Sequence, residues 1–257
     1  MLELQHIDKT FNRGTVNEMT LFSDFSLSVA EGEFLAVVGS NGSGKTTMLN
    51  VISGSVAADG GRVILEGEDI TRVPEYRRAA RIGRVFQDPA VGTVPSMTIL
   101  ENLCLAGNKG KPYSLGMAVS ESRRAEYREK VAELGLSLED KMDIPVGLLS
   151  GGQRQAVAML MATLIPIRFL ILDEHTAALD PKTAEVIMRL TDRLVKEKHL
   201  TAIMVTHNLR YAVEYGSRML MMHQGKIVLD RKGQEKASTK VEDVLTLFNT
   251  ISVECGN

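Results

Sequence analysis

Residues 39–46 of this chain read Gly39-Ser40-Asn41-Gly42-Ser43-Gly44-Lys45-Thr46. The apolar run Phe34–Val38 precedes this stretch and is typical of a strand that is buried on both faces. A helix is predicted after it, from Thr46 and Thr47 to a stop at Gly54. A strand, a glycine-rich turn and a helix in this order gather backbone N–H groups and the positive helix end around one point, where a polyphosphate fits.

The residue types within this loop match that interpretation. Gly39, Gly42 and Gly44 let the backbone approach a phosphate closely, because they have no β-carbon. We predict that Lys45 reaches the terminal phosphates and that the Thr46 hydroxyl binds magnesium. The alternative, a structural glycine-rich turn before a helix, leaves the lysine and the threonine unexplained.

A second candidate site lies at the end of the apolar run Phe169–Leu172, which is followed by Asp173 and Glu174. Buried parallel strands carry functional side chains at their carboxyl ends. We predict that Asp173 holds magnesium, directly or through water, and that Glu174 orients and polarises the attacking water. The alternative is a pair of solvated carboxylates that open the next loop.

Two single polar residues also end apolar runs. Gln87 follows Val85-Phe86, where its amide can reach the metal and the water, and His207 follows the run Met204–Thr206, where it can hydrogen-bond the terminal phosphate. A lone glutamine or histidine is usually a surface residue, so these assignments depend on their order along the chain.

Between these motifs lies the stretch Leu149-Ser150-Gly151-Gly152-Gln153, and Ala178-Leu179-Asp180 follows the acidic pair. Taken in order, the motifs resemble those of the ATP-binding subunits of ABC transporters over almost the whole chain. The resemblance implies ATP and Mg²⁺ as ligands, with Phe11 in the place of an aromatic residue that stacks on adenine. It also implies a homodimer, in which Ser150, Gly151, Gly152 and Gln153 of one copy cover the ATP held by the other copy, with Asp180 at the same interface.

The fold implied by the resemblance is α/β. It is a phosphate-loop nucleotide-binding core of ABC ATPase type, with an antiparallel β subdomain and a helical insertion. We expect a single domain over residues 1–257, in which 1–87 and 151–257 form the core and 88–150 form the helical subdomain.

A narrower resemblance comes from His175, where most members of the family have proline, from residues 156–164, which lack the usual arginines, and from residues 95–103. These features are similar to those of ATPases that accompany permeases of the branched-chain-amino-acid type and an extracytoplasmic solute-binding protein. Such systems import amino acids, including tryptophan or tyrosine. The residues themselves give no physical reason for His175, which is also compatible with a neutral change on a tight turn.

Two other classes share these motifs. One is a soluble ABC ATPase without a membrane partner, as in iron–sulfur assembly or translation. The other is an exporter or lipoprotein-release subunit. Translation factors of the family carry two nucleotide units and repair proteins carry long coiled coils, and this sequence has neither.

Composition sets further bounds. The chain has 257 residues, 30 basic and 32 acidic, with no basic face for nucleic acid, so no nucleic-acid partner is expected. The two cysteines, Cys104 and Cys255, form no metal pattern, and we expect Cys104 to be packed in a helix. No signal peptide is expected, and the longest uncharged apolar stretch, 156–167, is shorter than the roughly 20 residues of a membrane span. We therefore expect a peripheral protein, held at the cytoplasmic face of the plasma membrane by another chain.

Local patterns predict several element boundaries. Thr98 with Glu101 and Thr239 with Glu242 each have the spacing of a capping box at a helix start. Residues 109–116 are interpreted as a solvated loop. His223 is placed at the end of a strand in a hairpin rather than at a site.

Overall fold

A computed structural model describes residues 1–111 and 119–254, with side chains through residue 250. Within these ranges the chain forms ten strands, ten α-helices and a short 3-10 helix at Val146–Leu148. The strands are β1 (Leu2–Phe11), β2 (Met19–Val29), β3 (Phe34–Gly39), β4 (Gly60–Leu65), β5 (Glu68–Asp69), β6 (Ile82–Val85), β7 (Phe169–Asp173), β8 (Thr201–Val205), β9 (Arg218–His223) and β10 (Lys226–Lys232). The helices are α1 (Lys45–Ser53), α2 (Glu75–Arg78), α3 (Pro89–Gly92), α4 (Ile99–Gly107), α5 (Glu121–Ala132), α6 (Gly151–Ala162), α7 (Pro181–Glu197), α8 (Leu209–Glu214), α9 (Gly233–Ser238) and α10 (Val241–Glu254).

The chain divides into two compact units, which are described separately. The first consists of Met1–Arg78 with His199–Asn257, and the second of Ala79–Lys198. The helical subdomain expected at residues 88–150 stays a prediction. In the described parts of both units, no helix is long and apolar enough to cross a bilayer.

The first unit contains an antiparallel sheet with the strand order β2-β1-β4-β5. Its strands are buried on one face, as the alternation of the sequence predicted. On β2, Phe25, Leu27 and Val29 are buried, whereas Ser26 and Ser28 are exposed. The α/β fold with an antiparallel subdomain is confirmed.

The same unit contains a parallel arrangement in which β3 pairs with β8 on one side and with β9 on the other, and β10 pairs antiparallel with β9. All residues of β3 and β8 are buried, as the apolar runs predicted. The loop after β3 leads into α1, and Gly54 ends that helix with a left-handed backbone (φ 85°), which confirms the predicted stop. The predicted hairpin is also present as β9 and β10.

In the second unit, β6 and β7 pair in parallel, with Val85 opposite Leu172. Helix α6 is buried over most of its length, whereas α7 is amphipathic. Tyr127, Val131 and Leu134 are buried, as their helical spacing predicted, and Cys104 is 1% exposed on α4.

The two predicted capping boxes have different outcomes. At α4 the box is present, because the Thr98 hydroxyl accepts from the Glu101 N–H and the Glu101 carboxylate accepts from the Thr98 N–H. The box at Thr239 is wrong. The preceding helix α9 ends at Ser238, so the Thr239 hydroxyl donates to the Glu235 carbonyl at 2.7 Å instead, and Asp243 accepts from the Lys240 N–H. The predicted loop 109–116 lies mostly outside the described residues.

Arg78 fixes the carboxyl end of α1. It is 5% exposed, and its guanidinium donates to the carbonyls of Val51 and Ile52, both at 2.9 Å. It also donates to the carbonyls of Thr71 and Val73. The last carbonyls of a helix have no partner within the helix, so one side chain satisfies these two and ties them to the strand-to-helix connection before α2.

Arg78→Met should therefore destabilise the protein. The change leaves buried carbonyl oxygens without donors, and we expect the free energy of unfolding to fall by roughly 2–4 kcal/mol. Denaturant unfolding followed by circular dichroism measures this. Arg77→Met is the matched control, because Arg77 is exposed on the same helix. Equal unfolding midpoints for the two variants would contradict this role of Arg78.

Candidate nucleotide-binding site

Lys45 lies inside the phosphate loop and bonds to the loop itself. Its ammonium group donates to the carbonyls of Gly39 and Ser40 at 2.8 and 2.9 Å, and lies 3.4 Å from the Ser43 hydroxyl. Lys45 is only 5% exposed. The loop therefore curves around a buried positive charge at the carboxyl end of β3.

The amino end of α1 has no capping side chain, because Gly44 occupies the cap position with φ 102°. By contrast, α4, α6 and α7 begin with the capping side chains of Thr98, Ser150 and Asp180. The first N–H groups of a helix need an acceptor, and the positive helix end favours an anion. The uncapped start of α1 next to Lys45 therefore fits a phosphate chain, and the exposed Thr46 is the second residue of that helix.

The β9–β10 turn packs against the outside of the loop. The Gly225 N–H donates to the Ser43 carbonyl at 3.0 Å, and a β-carbon on Gly39 would collide with the carbonyl oxygen of Met222. His223 Nδ1 lies 3.4 Å from Ser40 Oγ. The sequence placed His223 correctly at the end of a strand but missed this contact. The parallel pairing of β3 with β9 brings the two residues together.

The loop and His207 share a cavity of about 310 Å³ in the first unit. The residues that line it come from the end of β3 and the loop, from the segment after β8 with the first residue of α8, and from α10. They are Val38, Gly39, Ser40, Asn41, Thr206, His207, Leu209, Leu245 and Phe248. Phe11 ends β1, and the Lys9 ammonium lies 5.3 Å from its ring centre. Its stacking on adenine stays a prediction.

In the second unit, Asp173 ends β7 and forms an ion pair with Arg84 on β6. The distance from Arg84 Nη2 to Asp173 Oδ2 is 2.7 Å, and the two side chains are 12% and 13% exposed. The sequence analysis missed Arg84. The signal that reveals it is the β6–β7 register, which sets Arg84 opposite Ile171, two residues before Asp173.

Glu174 follows with a left-handed backbone (φ 50°), which is uncommon for a residue with a side chain. Its carbonyl accepts from the Ala177 N–H at 2.9 Å, and the Thr176 carbonyl accepts from the Leu179 N–H at 3.2 Å. Residues 174–179 therefore form a tight turn, which we call the acidic turn. It connects β7 to the start of α7.

His175, inside the acidic turn, is 2% exposed. Its Nε2 lies 3.0 Å from the hydroxyl of Thr191 on α7. Burial lowers the pKa of His175 to about 4, so the imidazole is neutral at physiological pH. A neutral imidazole carries one N–H donor and one acceptor nitrogen.

Gln87 is exposed just beyond the end of β6, next to Asp88, which caps α3. The carbonyl of its neighbour Phe86 accepts from Gln155 Nε2 at 3.1 Å, and Gln155 is 1% exposed on α6. The Gln87 loop is thereby tied to the helix that begins at Ser150.

Ser150 caps α6 and forms a capping box with Gln153, while Asp180 caps α7 through the Thr183 N–H. Hydrogen bonds from Thr183 lower the pKa of Asp180. A β-carbon on Gly152 would collide with Thr183 Cγ2, and one on Gly151 would lie 3.2 Å from Leu179 Cδ2. The starts of α6 and α7, which Ser150 and Asp180 cap, are therefore in close contact.

Known proteins provide an independent comparison. The family model described as ABC transporter matches residues 22–177. The chain is 44% identical to a tyrosine transport ATP-binding protein of Clostridioides difficile, over 96% of this chain and 98% of that protein. It is 33% identical to the spermidine/putrescine import ATP-binding protein PotA of Haemophilus influenzae, over 91% of this chain but only 59% of that longer protein.

Solved structures agree. A dimeric post-hydrolysis state of the ATP-binding cassette MJ0796, bound to ADP and phosphate, matches with a TM-score of 0.75 at 31% identity, over 90% of this chain and 98% of that chain. The ADP conformation of MJ1267, an ATP-binding cassette of an ABC transporter, matches with a TM-score of 0.80 at 29% identity, over 100% and 99%. The phosphate loop, the capped α6 start and the acidic turn thus occur in a chain that belongs to the ABC transporter family, as an ATP-binding subunit whose ATP hydrolysis is coupled to transport.

Proposed function

We propose that this subunit powers the import of an amino acid, with an aromatic amino acid such as tyrosine as the first candidate. The observation that carries the ATPase role is the uncapped start of α1 beside the buried Lys45. The substrate class is supported by the name of the 44% identical relative, a tyrosine transport protein. We place the subunit at the cytoplasmic face of the plasma membrane, in a complex with a permease that receives solute from an extracytoplasmic binding protein.

The phosphates of ATP would bind to the loop and to the N–H groups at the start of α1, where Lys45 and the helix end supply positive charge. His207 lines the same cavity and can donate a hydrogen bond to the terminal phosphate. The residues fit phosphate binding because the loop encloses one cation and holds no carboxylate.

Thr46, Asp173 and Gln87 are the residues that we assign to Mg²⁺. When bound, the metal ion would neutralise charge on the phosphate oxygens. No group of three or more His, Cys, Asp or Glu side chains suited to a metal occurs among the described residues. The hydroxyl of Thr46, the carboxylate of Asp173 and the amide of Gln87 offer the oxygen ligands that magnesium takes, and in nucleotide sites it also keeps waters and phosphate oxygens.

Glu174 is the residue that we assign to the attacking water. Its carboxylate would orient the water and accept its proton while the water oxygen bonds to the terminal phosphorus and the bond from that phosphorus to the departing ADP oxygen breaks. The start of α6 would cover the ATP of a second copy, with Ser150 and the N–H groups of Gly151 and Gly152 facing the phosphates. Support comes from the dimeric cassette that the chain resembles.

A surface beside the Gln87 loop supports a membrane partner. Val91 is 64% exposed on α3 and Val94 is 39% exposed just after it. The fully buried Asn102 fixes this loop, since its side chain accepts from the Val94 N–H and donates to the carbonyls of Val94 and Met97. Apolar side chains that are held rigidly in solvent are typical of a binding surface, and we assign this one to the permease.

Glu174→Gln should retain ATP binding and abolish turnover. The amide keeps the shape of the side chain but does not accept the proton, so we expect ATP hydrolysis to fall by at least about a hundredfold. Without hydrolysis, Mg-ATP should hold two copies together, which size-exclusion chromatography with light scattering measures. Glu197→Gln on the exposed end of α7 is the control. Turnover at the wild-type rate would refute the assignment of Glu174.

Val91→Asp combined with Val94→Asp should weaken binding to the permease. Charge on an apolar contact surface must be desolvated on binding, so we expect at least about fivefold less of the chain to co-purify with integral membrane protein in detergent. ATP binding by the isolated chain should not change. Val16→Asp is the matched control, because Val16 is fully exposed in the other unit. Equal co-purification of both variants would show that this surface is not the binding surface.

A further inference from the structure

The two neighbours of Glu174 in the sequence are each bonded to a different element. Asp173 pairs with Arg84 on β6, and His175 contacts Thr191 on α7. Glu174 itself has a left-handed backbone between them. The direction of its side chain therefore depends on what holds the residues on both sides.

Hydrogen-bond counting shows which atom donates in the contact between His175 and Thr191. The Thr191 hydroxyl has one proton, and it lies 2.8 Å from the Ile187 carbonyl in the preceding turn of α7. That proton is committed to the carbonyl, so the hydroxyl is an acceptor toward His175. The bond of 3.0 Å is therefore a donation from the His175 Nε2–H to Thr191 Oγ1.

The same hydroxyl connects the acidic turn to α6. Thr191 is fully buried, and its Oγ1 lies 3.5 Å from the sulfur of Met159 on α6. The bond from His175 therefore ends where α6 and α7 pack against each other. These are the two helices that begin at Ser150 and Asp180.

We propose that His175 is a positioning residue, whose Nε2–H donates to Thr191 and thereby holds the acidic turn in the conformation that directs Glu174 at the attacking water. This inference depends on the proposed role of Glu174 as the residue that activates water. This role explains why a histidine occupies position 175, for which sequence reasoning found no physical explanation. If His175 contributed only packing, an apolar side chain of similar size at this position would leave the rate of ATP hydrolysis unchanged.

Four single variants of the full chain separate these possibilities. His175→Leu removes the donor and His175→Gln keeps an amide N–H that can reach Thr191. Thr191→Val removes the acceptor with little change of shape, and Thr191→Ser keeps it. The Ile187 carbonyl faces a helical N–H donor in every case, so Thr191→Val does not leave it unpaired.

We expect His175→Leu and Thr191→Val each to lower kcat for ATP hydrolysis about tenfold, because a small displacement of a catalytic group costs that much or more. KM for ATP should stay within about twofold, since the phosphate loop is unchanged. His175→Gln and Thr191→Ser should retain most of the wild-type kcat, because each keeps the hydrogen-bonding group at its position. The double variant His175→Leu/Thr191→Val should be no slower than the slower single variant, because both changes remove the same bond.

Several results would overturn the proposal. One is wild-type kcat in His175→Leu or in Thr191→Val. Another is a double variant whose loss is the product of the two single losses. A third is a loss of kcat in His175→Gln as large as in His175→Leu. A lowered thermal midpoint that alone accounts for the activity lost in all four variants would also reduce His175 to a packing residue.

Glu174→Gln distinguishes this failure from failure of the proposed function. If Glu174→Gln abolishes turnover while His175→Leu does not change kcat, only the inference about His175 is wrong. If Glu174→Gln turns over ATP normally, the assignment of Glu174 is wrong, and the inference about His175 is wrong with it.

Discussion

The buried ammonium group of Lys45 is the constraint on which the nucleotide site depends. Removing such a charge from water costs several kcal/mol unless hydrogen bonds replace the lost solvation. Here the carbonyls of Gly39 and Ser40 provide them, which requires the backbone to curl around the side chain. The curled loop ends at Gly44, so α1 begins without a capping side chain. A positive charge and a helix start without a capping side chain are thereby placed side by side.

In the second unit the situation is reversed, because α6 and α7 both begin with a capping side chain. The Ser150 hydroxyl accepts from the Gln153 N–H at 3.3 Å, near the long limit for a hydrogen bond, in an exposed position. A phosphate could replace so weak a cap at little cost. The packing of Gly152 against Thr183 joins this start to α7. A ligand that engages the start of α6 therefore acts on the helix start at Asp180 as well.

Sequence patterns predicted the features that depend on neighbours in the chain. The buried β3, the loop at 39–46, the stop at Gly54 and the capping box at Thr98 all follow from local spacing. The predicted capping box at Thr239 is absent because the Thr239 hydroxyl donates to the Glu235 carbonyl in the preceding helix α9. Arg84 was missed because its partner Asp173 lies 89 residues away, and His223 because it is 183 residues from Ser40. Such pairs depend on strand register, which composition and periodicity do not encode.

Glu174 shows how those distant contacts support the local backbone. A left-handed conformation costs a residue with a β-carbon roughly 1–2 kcal/mol, so the turn needs compensation from elsewhere. A hydrogen bond contributes about 1 kcal/mol, and one to a charged group more, so the His175–Thr191 bond and the Arg84–Asp173 pair together suffice. The free energy that either contact contributes alone would not exceed the cost of the left-handed backbone at Glu174 by a wide margin. The conformation at Glu174 is therefore set jointly by β6 and α7, on the two sides of the residue to which we assign the attacking water.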